Sequence, residues 1–212
     1  MRSNIQPSDQ GRQSFIEAAR RAQIIECAID AIAELGFAQT SLAQIAKRAG
    51  ISTGVISYYF AGKDDLIRAV AAHVYAVGEG HIDPLVSREG SLRIALLTFI
   101  EASVDFIAVK PRYPTAIMNI IRAGRTEGGK PRFDPAVGEA RRLGFNNILR
   151  RGQELGEFRP FNVDVMTITI IESLDCIPQQ VVENPELDLK AYAAELVTLF
   201  DLATRNPSVS GI

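Results

Sequence analysis

The sequence predicts an all-α protein with an N-terminal helix-turn-helix domain followed by a larger helical domain. Apolar residues recur at helical spacing through most of the chain, and no segment sustains the alternation typical of a β-strand. Residues 40–66 (TSLAQIAKRAGISTGVISYYFAGKDDL) contain two short helical patterns that are joined by a glycine. The 212 residues are enough for one or two domains with hydrophobic cores of their own.

The charge of the chain is nearly balanced, with a net charge of −2. Residues 1–68 hold 8 Lys and Arg against 7 Asp and Glu, whereas the remainder holds 15 against 18. This excludes a protein that coats nucleic acid through bulk positive charge. Any affinity for DNA must come from locally placed cations, backbone amides and hydrogen-bonding side chains.

The first predicted elements are a mobile polar arm over residues 1–13, which contains Pro7 and Gly11, and a long helix over residues 14–35. Gly36 is placed to end this helix. Together with the helix-turn-helix, residues 14–62 make the predicted DNA-binding domain.

The helix-turn-helix pattern depends on two predicted caps and one turn. Ser41 is an N-cap, and Gln44, three residues later, completes a capping box. Gly50 ends the first short helix, and Ser52 begins a second one that runs to Phe60. This is the layout in which the second helix enters the major groove of DNA.

A fourth helix is predicted over residues 63–80, ended by Gly78, Gly80 and Pro84, and it links the two domains. Residues 63–205 form the second domain and residues 206–212 a tail. Five further helices, which bring the total to nine, are predicted at residues 91–109, 115–122, 135–155, 163–177 and 187–204.

Nothing in the composition indicates an enzyme, a metal site or a cofactor. The two histidines, His73 and His81, lack neighbours at metal-ligand spacing, and no nucleophile motif is present. Cys27 and Cys176 are read as small buried side chains in a reducing compartment. With no secretory leader and no apolar run of about 20 residues, we expect a cytoplasmic protein that does not enter the membrane.

Residues 15–70 resemble the DNA-binding domain of the TetR family of bacterial transcriptional regulators. The resemblance rests on the residues Thr40, Ile45, Ala46, Ala49, Gly50, Ile51, Ser52, Gly54, Tyr59, Phe60, Lys63 and Leu66. One departure is Ser57, where many members carry Tyr, which leaves the base preference of the second helix open.

Two features of the sequence indicate the DNA-binding residues: the side chains that the second short helix is expected to expose, and the resemblance to the TetR family. Base recognition is expected from Thr53, Gly54, Ser57 and Tyr58, and phosphate contacts from Thr40, Ser52, Tyr59 and Lys63, with Ser41 beside them.

The last two predicted helices indicate a homodimer, an expectation that rests mainly on the resemblance. The first of these two helices is apolar on nearly every side, so other helices must pack against it on every side. Two copies of the chain would provide this by forming a four-helix bundle across a two-fold axis. Two central helices in one monomer core are the alternative. The predicted interface residues are Ile168, Ile171, Asp175, Tyr192, Leu196, Leu199 and Phe200.

The second domain is also expected to bind a small, largely apolar molecule. Polar residues that interrupt apolar helices can anchor such a ligand, although each can equally face solvent or pair with another residue. The predicted ligand residues are Phe99, Phe106, Met118, Arg122, Phe145, Met166, Ile170 and Glu172, for each of which core packing or exposure is the alternative.

The sequence therefore predicts a ligand-responsive regulator, more specifically a repressor, that binds a palindromic double-stranded operator as a homodimer. Two other classes compete with it. A ligand-independent architectural DNA-binding protein would have a tightly filled second domain, and an enzyme would show catalytic geometry there.

Overall fold

The computed structural model describes residues 7–124 and 135–207, without the side chains of residues 7–10, 12 and 135–137. These residues contain ten α-helices and no β-strand, so the predicted all-α class is confirmed. The first residues of the predicted arm, most of the loop at 124–134 and most of the tail lie outside them. The helices are α1 Pro7–Leu35, α2 Leu42–Ala49, α3 Thr53–Tyr59, α4 Lys63–Val86, α5 Leu92–Val109, α6 Arg112–Arg122, α7 Pro135–Glu154, α8 Val163–Asp175, α9 Ile177–Glu183 and α10 Leu189–Thr204.

The chain divides into two compact units. The first comprises Met1–His73 and Asn119–Phe133, and the second comprises Val74–Met118 and Asp134–Ile212. Helix α4 contributes its first half to one unit and its second half to the other.

Two helices begin earlier than predicted, and both have a proline in their first turn. Helix α1 begins at Pro7 instead of Ser14, so residues 7–13 are helical where an arm was predicted. Helix α6 begins at Arg112 instead of Thr115, with Pro114 in its first turn. Proline is compatible with this position because the first N–H groups of a helix have no intrahelical acceptor.

Helix α4 runs to Val86, beyond the predicted end at Gly80. The prediction treated Gly78, Gly80 and Pro84 as a stop. Gly78 is instead buried inside a continuing helix, where an added Cβ would be in ordinary van der Waals contact with the Phe106 ring at 3.7 Å. Pro84 lies two residues before the end of the helix at Val86.

The chain after α8 also differs from the prediction. Residues 163–177 were expected to be one helix, but α8 ends at Asp175 and a separate short helix, α9, covers Ile177–Glu183. Pro178 lies in the first turn of α9, where it starts a helix and does not merely interrupt one. The predicted ninth helix is therefore α10.

The core of the second unit lies between α5 and the helices that pack against it, which are α7, α8, α9 and α10. Its fully buried members include Leu96, Ile100, Leu149, Ile170 and Ile177. Phe158, in the connection between α7 and α8, fills the same core, and its ring lies where a side chain at position 152 would be, so only glycine fits there.

Candidate DNA-binding surface and ligand cavity

Helices α2 and α3 form the predicted helix-turn-helix. The Ser41 hydroxyl accepts a hydrogen bond from the Gln44 amide at 3.2 Å, and the Gln44 side chain accepts one from the Ser41 amide at 2.7 Å. Gly50 ends α2 with a φ of 66°, in the left-handed region that favours glycine. The predicted capping box and glycine turn are confirmed.

The inner face of the motif is closely packed, which fixes the orientation of α3. Ile45 on α2 and Ile56 on α3 are completely buried, and Phe60, directly after α3, is 2% exposed. The Arg21 guanidinium of α1 lies 4.8 Å from the centre of the Phe60 ring.

The outer face of α3 is exposed and carries small or hydrogen-bonding groups. Thr53, Gly54, Ser57 and Tyr58 all lie on this face, and the Tyr58 side chain is 74% exposed. The Tyr58 ring meets the half-buried ring of Tyr59 edge to face at 5.0 Å between centroids. These are the residues predicted to read bases, and the fold brings them together on one surface.

The side chains of Ser52 and Ser57 make few hydrogen bonds within the helix-turn-helix. Ser52 is exposed at the N-cap position of α3, but its hydroxyl does not cap the helix as predicted. The Ser57 hydroxyl donates to the Thr53 carbonyl at 3.2 Å, so this exposed side chain retains its capacity to accept a hydrogen bond.

Two predicted phosphate contacts have other partners in the structure. Thr40 is 1% exposed, and its hydroxyl bonds to the carbonyl oxygens of Ala31 at 3.2 Å and Gly36 at 2.8 Å. The Lys63 ammonium donates to the carbonyls of Phe37 (3.2 Å) and Thr40, and it lies 4.2 Å from the centre of the Phe37 ring. Both side chains therefore hold the turn between α1 and α2, and the Thr40 side chain is not accessible to a phosphate.

The second unit contains a cavity of about 360 Å³, within the size range of small-molecule sites. Its wall is mainly apolar, and α4 lines it with residues at i, i+4 and i+8 spacing. The apolar lining residues include Val74, Ile82, Phe99, Phe106, Ile107, Ile117, Met118, Phe145, Ile148, Leu174 and Pro178.

The polar part of the lining combines an ion pair with separate carboxylates. Arg141 on α7 and Asp175 at the end of α8 are paired at 2.6 Å, and Glu79 and Asp83 lie on α4. Burial raises the pKa of the Tyr75 phenol, an effect that Arg141 opposes and Asp175 reinforces. Tyr75 is therefore a neutral hydroxyl at pH 7.

Four of the predicted ligand residues line this cavity: Phe99, Phe106, Met118 and Phe145. The other four do not. Ile170 is fully buried in the core, Glu172 is exposed on α8, and Arg122 is exposed at the end of α6. Met166 borders a separate depression between α8 and α10. Sequence periodicity identified the apolar faces, but it could not tell a cavity wall from filled core.

The N-terminal unit matches a known family. Residues 24–70 match the family model described as bacterial regulatory proteins, tetR family. A segment of 55 residues is 49% identical to the HTH-type transcriptional regulator BetI of Burkholderia thailandensis, covering 26% of this chain and 28% of that protein. Residues 24–70 are therefore a TetR-family DNA-binding domain. The chain spans less than a third of the length of the curated relatives that it matches.

The similarity of the fold extends beyond the matched segment. The transcriptional regulator FadR from Bacillus subtilis, solved in complex with stearoyl-CoA, superposes with a TM-score of 0.74 at 22% identity, covering 90% of this chain and 98% of that one. AibR, solved with isovaleryl coenzyme A and operator DNA, gives a TM-score of 0.74 at 15% identity, covering 85% and 97%. At these identities, the likeness establishes the fold.

The predicted dimer residues fall into two groups. Ile168 on α8 and Leu199 on α10 are 54% and 55% exposed, and Ile171 and Tyr192 are partly exposed. The remaining three have partners within the same chain. Leu196 and Phe200 are buried in the core of the same chain, and Asp175 pairs with Arg141 beside the cavity.

The prediction missed several cavity residues. Ile82, Asp83 and Val86 were overlooked because α4 was ended at Gly80, and extending its helical periodicity would have found them with Tyr75 and Glu79. Arg141 carried no signal, since an arginine on a polar helix is usually solvated. In the described part of the chain, no three His, Cys, Asp or Glu residues are grouped as a metal site requires, and no helix is long and apolar enough to cross a membrane.

Proposed function

We propose that this chain is a ligand-responsive transcriptional regulator that binds a palindromic operator as a homodimer. The observation that carries the proposal is the outer face of α3. A short helix is fixed from behind by Ile56 and Phe60 and presents Thr53, Ser57 and Tyr58 outward. A helix held in this way, with hydrogen-bonding groups on its free side, is suited to read base edges in a major groove.

The family and fold comparisons support DNA as the partner. The matched segment, residues 24–70, covers α2, α3 and the start of α4. AibR, which has the same fold, was solved with operator DNA. Backbone contacts would come from the helix-turn-helix surface around Ser41, Ser52 and Tyr59, since such contacts set the register of the reading helix.

The surface of α8 and α10 supports homodimerisation. Val165 and Ile168 on α8, and Leu199 and Leu202 on α10, are each more than half exposed. Large apolar side chains at such spacing form a patch that a second copy of the same face would cover. A dimer would place two α3 helices on successive major grooves, roughly 34–36 Å apart.

The cavity supports regulation by a small molecule. FadR and AibR were solved with acyl-CoA ligands, and a wall of the present cavity is formed by α4, which also begins directly after the helix-turn-helix. We infer that a bound ligand shifts α4 and thereby the spacing of the two α3 helices, which would release an operator and make the protein a repressor. Such a ligand must bind the free conformer more tightly than the DNA-bound one. A cavity of this size argues against a ligand-independent architectural protein.

The proposal is tested by fluorescence anisotropy, titrating the purified chain against DNA from upstream of its own gene in a salt series. We expect tight binding that non-specific competitor DNA does not remove. Tyr58→Ala should weaken it by roughly 1 kcal/mol, at the lower end for a base contact, and Ser57→Ala should change base preference.

Leu155→Ala is the matched control, because Leu155 is also a large exposed side chain but lies in the second unit. It should leave the affinity unchanged. Binding that any DNA competes away, in selections from random sequences as well, would contradict a sequence-specific regulator.

A further inference from the structure

The charged lining of the cavity constrains which ligand it can accept. Glu79 and Asp83 lie four residues apart on α4, so their carboxylates are on the same face of the helix. Within residues 7–124 and 135–207, neither side chain has a hydrogen-bond or ion-pair partner. Two like charges at this spacing repel each other, and a positive group beside both would remove that repulsion.

The positive charge in the described lining is already neutralised. Arg141 is the basic residue there, and its guanidinium bonds to Asp175 at 2.6 Å. An anionic ligand at the remaining donors of Arg141 would lie beside the Asp175 carboxylate, which offsets the arginine charge, and it would also approach Glu79 and Asp83. Repulsion by these three carboxylates is unfavourable for an anion.

The neutral polar lining also presents an acceptor. Ser103 is 7% exposed, and its hydroxyl hydrogen is donated to the Phe99 carbonyl at 2.7 Å. What the hydroxyl can still offer to a ligand is its lone pairs. With the two carboxylates of α4, the cavity is therefore rich in acceptors.

The aromatic lining favours the same kind of ligand. Phe99 and Phe145 meet edge to face with ring centroids 4.5 Å apart, and Phe106 lies on another part of the wall. The negative faces of aromatic rings attract cations, most strongly when water is excluded. Rings and carboxylates in one cavity favour an apolar molecule with a positively charged nitrogen.

We propose that the effector of this protein is a hydrophobic cation, with its charged nitrogen beside Glu79 and Asp83 and its apolar part among the phenylalanines. The inference rests on the proposed function, because it names the ligand of the proposed regulatory cavity. It also separates this chain from FadR and AibR, whose acyl-CoA ligands carry negatively charged phosphates.

The test is isothermal titration of the full-length protein with three probes that share one chain, namely decyltrimethylammonium, decanol and decanoate, below their micelle concentrations. We expect the cation to bind more tightly than decanoate. Glu79 and Asp83 are both exposed at the cavity, so in the double variant Glu79→Gln, Asp83→Asn cation affinity should fall roughly fivefold, as for exposed ion pairs, while decanol affinity stays the same.

Glu101→Gln is the matched control, because Glu101 is an exposed carboxylate on α5 that does not line the cavity. It should leave all three affinities unchanged, and circular dichroism would verify that every variant is folded. Tighter binding of decanoate, equal binding of all probes, absence of cation binding, or a cation preference that survives the double substitution would each overturn the proposal.

Operator release is measured separately, by adding each probe to the protein–DNA complex. If the cation binds but does not release DNA, the ligand class stands and the regulatory mechanism fails. If another probe binds and releases DNA, the mechanism stands and the ligand class fails.

Discussion

The helix-turn-helix and the second unit are stabilised over different distances along the chain. In the helix-turn-helix, the capping box joins Ser41 and Gln44, three residues apart. The Thr40 hydroxyl bonds to the carbonyls of Ala31 in α1 and Gly36 just after it, nine and four residues away. In the second unit, Arg93 bonds to Asp201 across 108 residues. The first region therefore follows from short stretches of sequence, whereas the second depends on how distant helices pack.

The connection between α7 and α8 gives a second example of a long-range contact in the second unit. The Glu157 carboxylate accepts bonds from the Ser91 hydroxyl at 2.6 Å and the Arg93 amide at 3.0 Å. Burial alone would raise the pKa of Glu157, but these bonds and the charge of Arg93 lower it below its ordinary value. This carboxylate thus caps a helix more than 60 residues away, which no local pattern indicates.

The largest effect is expected for Phe158→Ala, which breaks the long-range packing. Phe158 is 2% exposed and lies against Gly152 in the core formed by α5, α7, α8 and α10. Removing the ring leaves a cavity, and we expect the free energy of unfolding to fall by about 3–5 kcal/mol. Urea denaturation followed by circular dichroism measures it.

Gly152→Ala probes the same contact from the other side. The Cβ of the new alanine would lie 2.2 Å from the Phe158 ring, so this substitution should also lower the free energy of unfolding. If Phe158→Ala cost less than about 1 kcal/mol, Phe158 would not be the core residue that its burial indicates.

The difference between local and long-range contacts explains which parts of the fold could be predicted from the sequence. The caps at Ser41 and Gly50 were found because each uses residues within one turn of a helix. The extension of α4 was missed because Gly80 was read as a stop, although it is exposed within a continuing helix. The short helix α9 was missed because Pro178, which lies in its first turn, was read as an interruption.

The candidate sites show the same limit. Leu199 and Leu196 were both identified as interface, although Leu196 is buried and only Leu199 is exposed. Both are apolar residues on one helix, and their difference in burial arises from the packing of α10 against α5, which sequence periodicity does not show.

An intermediate effect is expected for Thr40→Val, which tests a local contact that the sequence reading assigned to DNA. Valine has nearly the same shape but cannot donate to the carbonyls of Ala31 and Gly36. We expect a loss of about 1–2 kcal/mol in the free energy of unfolding. Thr40→Ser keeps the hydroxyl, so its free energy of unfolding should fall by less than that of Thr40→Val. A Val variant with full stability but weakened DNA binding would restore the phosphate role.

The smallest effect is expected for Lys63→Met, which keeps the aliphatic stem and removes the ammonium. In the structure this charge bonds to the carbonyls of Phe37 and Thr40 and lies over the Phe37 ring. Because Lys63 is only partly buried, we expect a loss of about 1 kcal/mol in stability. DNA affinity should fall alike for all sequences, since the turn that supports α2 is loosened.

The salt dependence of DNA binding distinguishes this positioning role from a direct phosphate contact. A lysine that neutralises one phosphate contributes about one to the slope of log affinity against log salt, because one counterion is released. If Lys63 is held by the protein, Lys63→Met should leave that slope unchanged while lowering affinity. If the slope becomes shallower by about one, the ammonium leaves its carbonyl partners on DNA, and the original assignment from the sequence is correct.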